Sequence, residues 1–256
     1  MPAPERCREL ACRLDSVRER VTTAARGCGR DPGDLTIIVV TKFFPASDVR
    51  ALLQLGVRDF GENRHQEARA KFAEVRGTDE TVPAVGTAPV LHFIGQVQTN
   101  KAAAVAAYAD VVHAVDRPRL VRALEHGAAR SGRQLRCLVQ VDLADDALAP
   151  GRSGDTSRPE LGRGGVTPGG LIGVADLIAE SAHLQLGGVM AVAPLGADPD
   201  PAFTRLEDLS DRLRERHPGA TWVSAGMSGD LEAAIRHGAT HLRVGTAILG
   251  SRPVLR

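Results

Sequence analysis

Short apolar runs rich in β-branched residues alternate along this chain with longer stretches whose apolar positions recur every three or four residues. The first kind predicts buried strands and the second predicts amphipathic helices. Residues 4–27 open with the helical pattern, with Leu10, Leu14, Val17 and Val21 on one stripe among Arg and Glu, and Gly27 and Gly29 end it. Leu35 to Lys42 is a continuous apolar run bounded by Gly33 and Pro45, hence a buried strand with Lys42 where it stops. A helix through Leu55 follows, with Ser47 as its expected cap. A short strand from Val57 to Asn63 then runs into a helix from Arg64 to Arg76.

The same alternation continues. Strands are expected at Leu91–Gly95, Asp110–Val115, Leu135–Leu143, Leu184–Val192, Thr221–Ser224 and His241–Val244. Helices are expected at Gln98–Tyr108, from a cap at Asp116 to Arg130, at Leu171–Ser181, Pro201–Arg216 and from Ser228 to His237, with Gly245–Gly250 starting a final turn. Two Gly- and Pro-rich connections interrupt the pattern. Residues 77–90 lead from a helix back to a strand and are expected to be functionally silent. Residues 144–170 leave a strand for a helix and therefore lie on the strand-end face, as a lid or a disordered loop. Eight strands alternating with helices imply parallel strands with helical crossovers. With no GxGxxG turn after the first strand, the pattern favours one closed (β/α)8 TIM barrel over residues 1–256, with an extra N-terminal helix, over an open doubly wound sheet.

Composition narrows the function. The net charge of +1 argues against a polyanion-binding surface, and the scarcity of aromatic residues removes the stacking platforms of single-strand binders, so no nucleic acid is expected. No segment has the apolar length of a membrane span, and Met1–Arg6 lacks the apolar core of a secretory signal. Cys7, Cys12, Cys28 and Cys137 form no CxxC pair and no metal-ligand spacing, so they read as free thiols of a cytoplasmic protein.

In a parallel barrel the active site forms where the strands end. Those ends present Lys42, Asn63, Gly95, Asp116, Met190, Ser224 and Arg243. Only three of the 32 Lys and Arg residues are lysine. A lysine chosen where arginine is the default suggests an amine that must lose its proton, as Schiff-base chemistry with an aldehyde requires. The bland alternative is a stem along the barrel rim with its head in water. Lys101 lies just after the third strand, and Lys71, inside a helix, is expected to be solvated. Ser224-Ala225-Gly226-Met227-Ser228 and Gly245-Thr246 are two turns that each lead into a helix N-terminus, the arrangement that takes a phosphate, although the glycines can also serve only the turns and Ser228 only a cap. Arg243 needs a partner on a central strand: a neutral pyridine nitrogen, or a salt bridge to an acid such as Glu62. Asn63 can bond a cofactor hydroxyl or cap a helix, and His92 and His113 read as satisfied core histidines. No Ser–His–Asp order, HExxH or paired-carboxylate motif stands out.

Val39-Val40-Thr41-Lys42, Phe60-Gly61-Glu62-Asn63-Arg64-His65-Gln66-Glu67 and His92-Phe93-Ile94-Gly95-Gln96-Val97-Gln98-Thr99-Asn100-Lys101 together resemble the pyridoxal phosphate homeostasis family, also called the proline synthase co-transcribed bacterial homologue family. His113-Ala114-Val115-Asp116, Gly188-Val189-Met190, Ser224 to Asp230 and Arg243 to Gly250 agree with it in order along nearly the whole chain. The resemblance implies a single-domain fold-type III barrel like the N-terminal domain of alanine racemase. It implies pyridoxal 5'-phosphate held as a Schiff base on Lys42, with the phosphate at Ser224, Gly226, Gly245 and Thr246, and Arg243 near the pyridine nitrogen. The cofactor-binding set it implies is Lys42, Asn63, Met190, Ser224, Gly226, Met227, Arg243, Gly245 and Thr246, with no catalytic and no metal-ligating residue. It implies a cytoplasmic protein that carries or buffers the cofactor for vitamin B6 and amino-acid balance, with apo-enzymes that accept it as partners and without an established turnover. Two departures stand out: Ala225 where the family often has methionine, and a longer connection with Arg163-Gly164-Gly165 in place of a Lys-containing segment.

The alternative is an amino-acid racemase of weak activity. Racemisation needs an acid/base group on each face of the α-carbon. In alanine racemase-like enzymes these are the lysine and a tyrosine from a second domain of the partner subunit. The one tyrosine here, Tyr108, is expected in a helix, and the chain stops at Arg256 after the eighth unit, so a monomer without efficient racemisation is expected. A third reading, a barrel enzyme acting on a phosphorylated sugar through a lysine Schiff base, would also explain a phosphate site.

Overall fold

The computed structural model describes residues 3–77, 88–143, 164–194 and 196–251. Its elements alternate from start to finish: α1 Pro4–Gly27, β1 Thr36–Val40, α2 Ala46–Gln54, β2 Asp59–Glu62, α3 His65–Arg76, β3 Val90–Phe93, α4 Thr99–Ala106, β4 Val111–Val115 and α5 Pro118–Arg130. They continue with β5 Leu135–Gln140, α6 Leu171–Ala179, β6 Leu184–Met190, α7 Asp200–Arg216, β7 Trp222–Ser224, α8 Leu231–Arg236, β8 His241–Val244 and α9 Thr246–Leu249. The eight strands pair in sequence order, all parallel, and β1 closes on β8 with Thr36 opposite His241 and Val39 opposite Val244. This is the expected (β/α)8 barrel, and closure leaves no strand edge open.

The main core lies between the strands and the helices. It joins Val39, Phe60, Leu91 and Val112 of the strands to Leu52, Phe72, Leu124 and Phe203 of the helices. A smaller cluster of Ala114, Leu138 and Met190, packed by Trp222, is separate from it. The register of β4 against β5 shifts between Val112 and Val115. Around that shift the neighbours turn away from the main core: Ala114 joins the smaller cluster, and His113 bonds Ser224 and His92. Gly188 marks a second irregularity: β6 shifts against β5 there, and a Cβ on Gly188 would stand 2.0 Å from the Trp222 carbonyl.

The extra helix α1 buries Leu10, Leu14, Val17, Val21 and Ala25, the stripe its periodicity predicts. Arg6 ties it to Asp48 at 2.8 Å and to the Leu249 carbonyl at 3.0 Å. Just beyond α1, Arg30 donates to the Ile235 and Ala239 carbonyls, supplying partners at the C-terminal end of α8.

Three expected caps are not formed. Pro45 precedes α2 and Ser47 lies inside it, with no side-chain cap. Arg117 precedes α5, and Asp116 pairs with Arg117 instead. Pro118 takes the first helical position, so the capping position falls on Arg117 and Asp116 lies one residue too early to serve it. The helix expected to open at Ser228 begins three residues later, at Leu231. Asp230 turns its carboxylate back onto the Met227 amide at 2.6 Å and holds Met227–Asp230 as a turn.

The fifth strand ends at Gln140 rather than Leu143. Val166 returns alongside it as a parallel bridge to Val141. A Cβ on Gly164 would meet Gln96 at 2.1 Å, and one on Gly165 would meet the Asp142 amide at 2.5 Å. Backbone close approach and φ 143° set Gly165, whereas the obstacle at Gly164 is the movable end of the Gln96 side chain. The expectations for residues 78–87 and 144–163 fall outside the described residues.

Candidate active site at the barrel mouth

A cavity of about 540 Å³ opens at the strand ends. Its wall includes Lys42 and Phe43 after β1, Met227, Ser228, Gly229 and Asp230 after β7, and Arg243, Gly245 and Thr246 at the end of β8. The three lysines take three different places. Lys42 alone among them lines this cavity, and it is half-buried in the turn that ends β1. Lys101 is exposed beside a separate cleft with Arg64 and His65.

Lys71 is not solvated as expected. Its side chain is 5 % exposed, and its amine bonds Glu62 at 2.6 Å, the Thr41 carbonyl at 2.8 Å and Glu67 at 3.0 Å. Glu62 is therefore not the partner of Arg243. It is fully buried, takes Lys71 and the Thr41 hydroxyl on Oε1, and has no partner for Oε2 among the described residues. Burial pushes its carboxyl above the usual range, against the pull of Lys71. The network braces the turn that carries Lys42. Glu67 accepts from the Phe43 amide, and Phe43 has φ 73°, left-handed backbone that a bulky residue occupies only under constraint.

Arg243 is buried and donates to the Ser224 hydroxyl at 2.6 Å and to the Ala191 carbonyl at 2.7 Å. Desolvation pulls its pKa down to about 10, so it remains a cation at neutral pH. The Ser228 and Thr246 hydroxyls stand 3.4 Å apart, one from each turn, and Ser228 also takes the Ala247 amide at 3.4 Å. The two turns thus meet at the cavity wall, as the sequence suggested.

Of the nine residues expected to bind a cofactor, Lys42, Met227, Arg243, Gly245 and Thr246 are together at this wall. The other four are not among its lining. Ser224 is fully buried beneath it, with its hydroxyl between Arg243 and His113. Gly226 has φ 86°, and a Cβ there would stand 2.7 Å from Ala234 Cβ, so packing and turn geometry require the glycine. Met190 belongs to the separate apolar cluster. Asn63 is exposed and does not cap α3, whose preceding residue is Arg64. It lies over Gly95, where a Cβ would meet Asn63 Oδ1 at 1.8 Å. Ser228, which the sequence offered as a possible helix cap, lines the cavity wall, and the helix starts after it at Leu231.

His92 and His113 are satisfied core histidines, as expected, bonded to each other at 2.9 Å. Tyr108 lies 3.2 Å from His65 Nδ1 and is not among the cavity's lining, and burial raises its phenol. Among the described residues no group of His, Cys, Asp and Glu is arranged to hold a metal ion.

Comparison with known proteins agrees with this architecture. The family model for the alanine racemase N-terminal domain matches residues 13–253. A pyridoxal phosphate homeostasis protein of Mycobacterium tuberculosis is 42 % identical over 97 % of this chain and 95 % of its own length. One from Corynebacterium glutamicum is 38 % identical over 93 % of this chain and all of its own. The structure of PipY from Synechococcus elongatus, solved with PLP bound, superimposes with a TM-score of 0.75 at 30 % identity, covering 94 % of this chain and 100 % of that one. With a closed parallel barrel, a lone lysine on the cavity wall and relatives matched end to end, this chain belongs to the pyridoxal phosphate homeostasis protein family.

Proposed function

We propose that this protein binds pyridoxal 5'-phosphate at the barrel mouth, on the amine of Lys42, and serves vitamin B6 and amino-acid homeostasis as a carrier of the cofactor without a catalytic cycle. The observation that carries the reading is the composition of one cavity: its sole lysine, a buried arginine donor, and two Gly- and hydroxyl-bearing turns that meet there. PLP bound in the PipY relative supports it.

When bound, the cofactor supplies an aldehyde that condenses with an amine and a ring that draws electrons from it. The protein's own groups divide the rest. Lys42 supplies the amine. Ser228, Thr246 and the peptides of Gly229 and Gly245 suit a phosphate, since glycine admits close approach to the backbone. Arg243 can only donate, so it suits a neutral ring nitrogen and disfavours a protonated one. That weakens the ring as an electron sink and argues for carriage over turnover. Racemisation would need a second acid/base group facing the first across the substrate. Tyr108 is turned to His65, and Asp230 commits Oδ1 to the Met227 amide.

The same reading takes residues 1–256 as one barrel domain, monomeric and cytoplasmic, with apo-enzymes that accept the cofactor as partners. The four cysteines are free, as in a reducing compartment, and no helix of the described residues is long and apolar enough to cross a membrane.

The test is absorbance of the purified protein with added PLP, before and after borohydride reduction, with peptide mapping. A visible-edge band that reduces to a stable adduct on Lys42 is expected, together with its loss in a folded Lys42→Ala variant. No adduct, or an adduct on Lys101 alone, overturns the reading and restores the sugar-phosphate alternative.

A further inference from the structure

A file of hydrogen bonds joins the cavity to the opposite end of the barrel. Arg243 Nη1 donates to Ser224 Oγ at 2.6 Å, and Ser224 Oγ lies 2.9 Å from His113 Nδ1. His113 Nε2 lies 2.9 Å from His92 Nδ1, and His92 Nε2 lies 2.9 Å from Asp59 Oδ1. The file passes from β8 through β7, β4 and β3 to the first residue of β2. His92, His113 and Ser224 are fully buried, and Asp59 alone reaches solvent, with 28 % of its side chain exposed.

The carboxylate end sets the protons. Arginine only donates, so Ser224 Oγ accepts from it, but the hydroxyl keeps both a hydrogen and a second lone pair, and this end alone allows either direction toward His113 Nδ1. A carboxylate only accepts, so His92 carries its hydrogen on Nε2. A neutral His92 then offers a lone pair at Nδ1, which His113 meets with Nε2–H, leaving His113 Nδ1 bare for the serine. The serine then gives its hydrogen to that bare nitrogen, and every link points from Arg243 to Asp59. Burial keeps His113 neutral, well below the usual histidine range, and the charge of Arg243 acts in the same direction.

We propose that Asp59, His92, His113 and Ser224 are positioning residues, a polarised file that fixes Arg243 as a donor toward the cofactor ring and offsets its charge from the far end of the barrel. The proposal rests on reading the cavity as the cofactor site. No carboxylate hydrogen-bonds Arg243 among the described residues: Ser224 and the Ala191 carbonyl take its two Nη groups, and Asp230, on the same cavity wall, favours the cation only through space. A buried cation without a bonded counter-charge is costly. Hydrogen bonds in series polarise one another, so Asp59 can favour the cation without touching it. Space-filling alone would not need a file of this kind, since Ala114, Leu138 and Met190 of β4, β5 and β6 fill the neighbouring part of the barrel with apolar atoms.

The first test needs no variant. In the full-length protein labelled with ¹⁵N-histidine, His92 and His113 are expected to show a protonated Nε2 and a bare Nδ1. Added PLP is expected to move the His113 Nδ1 resonance and, by a smaller amount, that of His92. A Nδ1–H tautomer at either histidine, or resonances that stay fixed in protein carrying the Lys42 adduct, overturns the proposal.

The second test is Asp59→Asn. Its Oδ1 can still accept from His92, so the hydrogen bond is kept and the charge is removed. The absorption band of the bound cofactor is expected to shift, and affinity to fall on the order of tenfold, the scale of one strong charge-assisted interaction. An unchanged band and affinity in a variant that forms the adduct overturns the proposal. Borohydride trapping in the same samples separates the two readings. If no adduct forms in the wild type, the cofactor reading falls, and the tautomers of the cofactor-free protein still decide whether the file is polarised.

Discussion

Lys71 is the residue whose place in the molecule departs furthest from what its type implies. A lysine inside a helix reads as solvated because most are. Yet Ala68, Lys71, Phe72 and Val75 are the buried residues of α3, spaced as one stripe facing the barrel. The signal was therefore present: the helix's own periodicity puts position 71 on the apolar face, and only the residue's chemistry argued otherwise. The place of Lys42 on the cavity wall was legible because it ends a buried strand, where barrels put their chemistry. The places of Asn63 and Ser224, off that wall, were not, because proximity to a strand end does not say which way a side chain turns. Lys71→Met should cost about 3–5 kcal/mol, since it leaves the Glu62 carboxylate buried with only Thr41 as partner. Urea unfolding measures this. Adding Glu62→Gln in the same chain should recover much of the loss. A double variant no more stable than Lys71→Met would show that the unpaired carboxylate is not the cause.

At the scale of elements, order and type were readable throughout, while ends and contacts were not. The strand and helix periods separate the units cleanly. The caps expected at Ser47, Asp116 and Ser228 failed because a suitable residue near a helix start is not enough. Pro118 displaces one cap, and the Asp230 turn moves another helix start downstream. Close contacts between helices are invisible to either period. Gly127 of α5 is buried, and a Cβ there would stand 2.4 Å from the Ala103 Cα of α4. Gly127→Ala sets two effects against each other. Helix propensity gains about 1 kcal/mol. Forcing two packed helices apart costs about 1–3 kcal/mol, and more where the obstacle is backbone. The second should win, with a net loss on the order of 1–2 kcal/mol. Gly173 of α6 is the control, since it is exposed with nothing within 4 Å of an added Cβ. Gly173→Ala should stabilise by about 0.5–1 kcal/mol. Thermal or urea unfolding of both variants should move in opposite directions. Shifts of the same sign would remove the interhelical contact as the reason.

For the whole molecule, closing the sheet creates an interior that no single strand reveals. His92, His113 and His241 come from three separate strands, and His92 and His113 each read alone as a core histidine. Only the closed barrel brings His92 within 6.5 Å of His241, with His241 stacked on Trp222 at 3.9 Å and Arg136 over the same indole at 4.3 Å. Desolvation holds both His113 and His241 neutral, His241 down to about 3, with His92 adding to the effect. In the unfolded chain both would titrate near pH 6.5. Between those values the unfolded state binds more protons than the folded one, so stability rises with pH across the window and falls as the solution is acidified from about 6.5 toward 3. Each buried neutral histidine contributes a slope of up to about 1.4 kcal/mol per pH unit once the unfolded form is fully protonated. His241→Phe keeps an aromatic face for Trp222 and removes one of these groups. The variant should therefore lose less stability than the wild type on going from pH 7 to pH 5, by about 2 kcal/mol, in denaturant titrations at the two values. If the two proteins weaken in parallel, His241 takes up a proton inside the folded barrel, and its interior is more accessible to water than its packing indicates.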